Sequence, residues 1–257
     1  MKKLNLLSLS ILAALTGCCC PNEKPAEKAS EAAPAAAAPA PKTDLITYDL
    51  TAANTDTIVF KEGEAVSLPA PHQKGGAPLM DLLMKRKSGR AYADRPLTIE
   101  MLSDLLWATT GKNREDGRWT IATAINSKNM ITYVMLKNGT FIYQPDTHTL
   151  LPVKEGNMMK DTGKQPFVGT GAVELCFIAD DNAYSRPVEP GIHRDLMDGM
   201  HAGAASQNIY LFAAQNQLET VLRAAVDREA MAQALSLKEG QIVMGCQSVG
   251  FPGEANP

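Results

Sequence analysis

Several kinds of chemistry lack the residues they need in this sequence. It has four histidines, His72, His148, His193 and His201. Only His193 and His201 could share a helix face, and two histidines alone make a weak metal site, so a metal centre is disfavoured. No Walker loop is present. Gly169-Thr170-Gly171 precedes a β-rich run instead of following one, and Glu174 stands where a third glycine would be needed. Serine-hydrolase chemistry has no G-x-S-x-G elbow to anchor it. Positive charge is in deficit: 25 Lys and Arg against 28 Asp and Glu give a formal net charge of -3. A chain of this balance, with a pI near 5.8, offers nucleic acid no basic face. Internal repeats are absent, as are regularly alternating strand–helix units, which disfavours a doubly wound sheet.

What is present begins with a leader. MKK is followed by the apolar LNLLSLSILAAL, too short for a mature membrane span. Leu15 to Cys18, LTGC, resembles the lipobox of bacterial lipoproteins. That resemblance implies a signal peptide over 1–17, lipidation of Cys18 and export to a membrane surface. Loss of Lys2 and Lys3 with the leader takes the formal charge from -3 to about -5. Residues 18–42 are rich in Ala, Pro, Glu and Lys and read as a semi-extended spacer. The folded domain is expected over 43–257.

Of the five cysteines, Cys18, Cys19 and Cys20 sit at the expected anchor. Cys176 and Cys246 lie in apolar runs and read as core residues. A disulfide between them stays open in an oxidising compartment.

The domain reads as mixed α and β, with helices dominating. A helix is expected over 77–87, with Leu79, Leu82, Leu83 and Met84 on its apolar face. A second starts at Thr98 as N-cap and stops before Gly111. Residues 129–145 read as a hairpin turning at Asn138-Gly139. AVELCFIAD (172–180) is a buried strand. One long helix over 194–218 is rich in small residues, which permit close approach inside a core or between subunits. Asp227 caps a further helix, and QIVMGCQSVGFP (241–252) ends the fold as a strand.

The remaining concentration of chemistry is KRKSGRAY, residues 85–92. Arg86, Ser88 and Arg90 alternate, so an extended segment aims all three to one side. Two guanidinium forks and a hydroxyl suit a dianion. The same charges also suit a solvated helix end, where cations meet the negative pole of the dipole.

KRKSGRAY resembles the R-x-S-x-R segment of the nitroreductase superfamily, and the hairpin YVMLKNGTFIYQPDTHTL resembles that of the branch that includes azoline oxidases. LTIEMLSDLLWATTGKN (97–113), ATAINSKN (122–129), the hairpin, residues 198–237 and QSVGFP resemble further family segments in order. The resemblance implies an α+β, nitroreductase-like fold with a central, mostly antiparallel sheet wrapped by helices. It implies a homodimer with FMN at the subunit interface and a small-molecule redox substrate. Arg86, Lys87, Ser88 and Arg90 would hold the ribityl phosphate and the pyrimidine side of the flavin. Thr123 and Asn126 of the second subunit would bond its edge. Leu222, Arg223 and Ala224 would approach N5 and O4 through backbone N–H groups. No side chain is assigned a catalytic role. The sequence departs from the family at Ala122, Lys128, Gln217 and Ala225, and no basic residue follows Pro252. Most relatives take hydride from NADH or NADPH, which are cytoplasmic, so export implies another electron source, a substrate-oxidising role, or a non-catalytic ligand-binding lipoprotein on a degenerate version of the fold.

Overall fold

The strongest local signals produce the central elements. A computed structural model describes residues 44–254. The expected leader, the linker and Cys18 lie outside the described residues. Helix α2 (Ile99–Thr110) starts where Thr98 Oγ1 accepts the Met101 N–H at 3.1 Å, the arrangement an N-cap hydroxyl provides. It ends at Gly111, where a Cβ would lie 2.5 Å from the Trp107 carbonyl oxygen. Helix α1 (Leu79–Lys85), the long α3 (Ile192–Gln215) and α4 (Arg228–Ala234) complete the helices, α4 capped by Asp227.

Seven strands form one sheet: β1 (Val66–Ser67), β2 (Met130–Leu136), β3 (Gly139–Gln144), β4 (Thr149–Glu155), β5 (Val173–Asp180), β6 (Glu219–Arg223) and β7 (Gln241–Gly250). Their order is β1-β4-β3-β2-β5-β7-β6, and every pairing is antiparallel. Strand β5 is buried on both faces from Val173 to Ala179. Side chains alternate across a strand, and β5 divides its residues accordingly. Val173, Leu175 and Phe177 join the larger core with α2 and α3, around Leu102, Leu105, Leu106 and Ile209. Cys176 and Ile178 join a second core with Met159, Met231 and Leu235, beneath α4.

Four expectations are corrected. Helices do not dominate, because β1, β4 and β6 add three strands to those legible in the sequence. The helix expected over 77–87 spans only Leu79–Lys85, and its expected apolar face is not buried. Leu82 is covered, whereas Leu79, Leu83 and Met84 are 58%, 45% and 87% exposed. Helix α3 stops at Gln215, and Gln217 takes a positive φ of 55° in the turn that follows. The hairpin turns at Lys137-Asn138, since Leu136 pairs with Gly139. Gly139 does not adopt a positive φ. It is required by close approach, for a Cβ there would sit 2.9 Å from the Phe60 ring.

Gly139→Ala should therefore destabilise the domain by about 1–3 kcal/mol through overpacking. Urea unfolding checks this, and Phe60→Leu should recover part of the loss by making room.

Candidate functional site

Helix α1 ends as the N–H of Arg86 bonds the Leu82 carbonyl. The chain then runs extended along the sheet edge. Gly89 N–H donates to Thr220 O at 2.9 Å, on β6. Ala93 N–H donates to Phe251 O at 2.9 Å and Gly253 N–H to Ala91 O at 3.0 Å. KRKSGRAY is thus held between β6 and the outgoing end of β7. Gly89 admits no side chain, because a Cβ would overlap the carboxylate of Glu219.

Tyr210 of α3 organises this segment. Its hydroxyl lies 3.0 Å from Ser88 Oγ and accepts the Leu222 N–H at 3.0 Å. The Arg86 guanidinium sits 5.1 Å from the centre of its ring, within cation–π range. Arg90 lies 6.0 Å from the Phe167 ring centre. Among the described residues, neither Arg86 nor Arg90 forms an ion pair, whereas Lys87 is neutralised by Glu219 at 2.7 Å. Lys85, Lys87, Tyr210, Gln217, Glu219 and Pro252 line a cleft of about 400 Å³ beside the segment. Tyr210 carries no sequence signal beyond being an aromatic residue among alanines.

Leu222 and Arg223 lie within β6, not in a loop, and Ala224 follows directly. The Arg223 side chain turns inward. It pairs with Glu174, which is fully buried, and donates to Thr162 O at 2.8 Å and Thr162 Oγ1 at 3.1 Å. Burial holds the Glu174 carboxyl above the usual carboxylate range, and Arg223, then the Ser248 hydroxyl and the Gly169 N–H, offset only part of this. Glu174 also accepts from Ser248 Oγ at 2.7 Å and Gly169 N–H at 3.1 Å. The stretch from Met158 to Gly171 is pinned to three strands by this one ion pair. Any contact of Arg223 with a ligand over β6 is therefore a backbone contact. Leu222, Arg223 and Ala224 instead line a small cavity with Gly199, Ala202 and Gly203 of α3.

Thr123 and Asn126 stand elsewhere. Ile125, Asn126 and Lys128 hold φ of 50°, 54° and 53°, a conformation costly for side chains other than glycine. A buried network fixes the loop against α3. Ala124 N–H donates to His201 Nε2 at 2.7 Å, and His201 Nδ1 to Asn129 Oδ1 at 2.9 Å. Asn129 Nδ2 and the Tyr184 hydroxyl both donate to Asp198 Oδ1 at 2.6 Å. Asn126 is left exposed. His201 and Tyr210 are separated by about 13 Å along α3, at 1.5 Å per residue. One protomer thus brings Arg86, Ser88 and Leu222 together around Tyr210, sets Arg90 against Phe167, and anchors the loop of Thr123 and Asn126 at His201 instead.

His201 must be neutral to accept the Ala124 N–H, and burial lowers its affinity for a proton while Asp198 opposes this. The unfolded chain binds the proton more readily. Stability is therefore complete above the ordinary imidazole range and falls as the pH drops through that range towards the lowered folded value. Hydrogen exchange at Ala124 should show protection lost over that window, and His201→Ala should abolish protection at all pH values.

A family model described as the nitroreductase family matches residues 83–251, which span KRKSGRAY from Lys85 onward, the strained loop and β6. A protein of Methanocaldococcus jannaschii that carries a nitroreductase name is 27% identical over 176 residues, covering 65% of this chain and 88% of its own length. A crystal structure of a nitroreductase-named protein from Ralstonia eutropha JMP134 superposes with a TM-score of 0.71 at 30% identity, over 80% of this chain and 97% of that one. The Escherichia coli microcin synthetase complex bound to truncated pro-MccB17 shares the fold at a TM-score of 0.58 and 16% identity, over 77% and 78% of the two chains. The ordered segments, the seven-stranded antiparallel sheet and the family match agree, and the chain belongs to the nitroreductase family.

Proposed function

We propose that this member of the family is an FMN-dependent oxidoreductase that works as a homodimer, tethered outside the cytoplasm through Cys18. The observation that carries the cofactor assignment is the Arg86 guanidinium on the Tyr210 ring, beside the Ser88 and Tyr210 hydroxyls, with Arg90 four residues on against Phe167 and neither arginine paired with a carboxylate among the described residues. Such a donor set fits a phosphate dianion. When bound, FMN would supply two-electron chemistry, exchanging a hydride at N5 with a small organic substrate such as a nitro compound or a quinone.

The residues of this chain bind and orient. Arg86, Ser88 and Arg90 hold the phosphate and pyrimidine sides, with Lys87 contributing less because Glu219 compensates its charge. The backbone of Leu222, Arg223 and Ala224 faces the reactive edge. Thr123 and Asn126 come from the second protomer. The unfilled space over Gly199 and Gly203, where an added Cβ would meet nothing within 4 Å, supports a partner helix at α3. So do Ile192, Leu196 and Met200, which are 66%, 52% and 69% exposed.

The purified full chain should show absorption bands near ~370 and ~450 nm, as bound oxidised flavin gives. Arg86→Ala and Arg90→Ala should each cost roughly 1.5–3 kcal/mol of FMN affinity, or about 10- to 150-fold in Kd, measured by fluorescence titration. Glu219→Gln should tighten FMN by removing a competing anion. Unchanged retention in both arginine variants would refute the phosphate role. A protein that stays colourless after incubation with FMN would favour the ligand-binding lipoprotein. Stopped-flow bleaching with NADPH, compared with a quinol, identifies the electron donor.

A further inference from the structure

Cys176 and Cys246 take no part in the site above, yet they are placed with respect to one another. They face each other directly across the β5–β7 ladder. Both are fully buried free thiols, and the Cys246 Sγ–H donates to Cys176 Sγ at 3.0 Å. Facing residues of an antiparallel pair hold their Cα atoms about 4.5–5.5 Å apart, inside the roughly 4.4–6.8 Å that a disulfide spans. The two side chains point to the same face of the sheet, among Ile178, Val243, Met231 and Leu235. Side-chain rotation alone brings the sulfurs to bonding distance.

From this geometry we infer that Cys176 and Cys246 are a modification site, joined as a cross-strand disulfide in the exported protein. The reaction is two successive thiol–disulfide exchanges with a donor disulfide of the oxidising compartment, either a glutathione-type small molecule or a protein dithiol oxidase. One S–S bond breaks in the donor and one forms here. Two electrons and two thiol protons pass to the donor, which leaves as thiols. The bond forms before β5 and β7 close. In the folded chain the hydrogen bond to Cys246, then burial, push the Cys176 thiol well above the usual range, so little thiolate is available. The closed loop contains α3, β6 and α4, so the bond restricts the part of the unfolded chain that carries His201, Tyr210 and Leu222 to Ala224. It lies on the sheet face beneath α4, away from α3, and the inference stands or falls independently of FMN.

Peptide mapping of the exported full chain tests this. The protein is unfolded in guanidinium with iodoacetamide and no reductant, then digested and analysed by mass spectrometry. A linked peptide pair joining Cys176 to Cys246 is expected, and the same pair after reduced chain is refolded with glutathione disulfide. Quantitative alkylation of both residues in both preparations would overturn the inference, as would linkage of either to Cys18, Cys19 or Cys20. Reductant should lower the unfolding midpoint of the wild type and leave that of the Cys176→Ala/Cys246→Ala double variant unchanged. An equal midpoint for the wild type with and without reductant would also overturn it.

Discussion

A carboxylate and a guanidinium enclosed in protein hold each other in place more firmly than either holds anything else. Glu174 and Arg223 are such a pair, 0% and 5% exposed. Neither can ionise alone in that position without a cost of several kcal/mol, so β5 and β6 must keep the separation that brings them together. Strand β7, between them, supplies the Ser248 hydroxyl to the same cluster. Through Thr162 and Gly169 the pair also pins the loop that carries Phe167. The consequence reaches the surface: with the Arg223 side chain committed inward, β6 presents only backbone and Leu222 along the edge where KRKSGRAY docks. Two arginines of opposite duty therefore stand near Phe167. Arg223 is consumed by the fold and Arg90 is left without an ion-pair partner among the described residues.

Helix α3 is the second organiser, because it serves three surroundings at once. Ala205, Ile209 and Ala213 enter the larger core. Tyr210 reaches KRKSGRAY, and His201 with Asp198 fixes the strained loop. Gly199 and Gly203 remain open. The small residues that looked interchangeable along the sequence thus divide by face. Ala202 and Ala205 are small because the core is close, whereas the two glycines have nothing near them within one chain.

What was legible in the sequence was local. Thr98, the apolar positions of α2 and Gly111 bracket a helix within a dozen residues. β5 is an apolar run broken only by Glu174 before it ends at Asp180, because both of its faces are covered. KRKSGRAY concentrates its charges in consecutive positions. What stayed hidden depended on distant partners. Strand β4 carries Pro152, which argues against a strand in isolation; it is accommodated opposite Phe141, where the register of the ladder shifts. β6 is five residues long and gains its identity from β7. The Glu174–Arg223 pair joins positions far apart in the chain, and no spacing announces it. Tyr210 is one aromatic residue in an alanine-rich stretch, significant only once Ser88 and the Leu222 N–H have been brought to its hydroxyl. The exposed side chains of α1 show the converse error, since an apolar stripe does not by itself decide that a face is buried.

The separation of the site within one protomer has a thermodynamic meaning under the proposed function. The anion-binding half lies beside Tyr210, and the loop bearing Thr123 and Asn126 lies about 13 Å away along the same helix. Under that function, a cofactor held at Arg86 in one protomer meets Thr123 and Asn126 where a second copy presents its loop. Cofactor binding and dimerisation are then linked equilibria, each strengthening the other by the same factor. The linkage explains why strain is tolerated in the loop. Three residues other than glycine at positive φ cost a lone protomer stability and return nothing to it. Held rigid by the His201 network, they present Asn126 outward with little left to order on association, which lessens the entropic penalty of completing the site. The Lys87–Glu219 pair works in the other direction. It lowers the positive potential beside the arginines, so the anion site depends more heavily on Arg86, Arg90 and the partner's loop than it would if Lys87 were free.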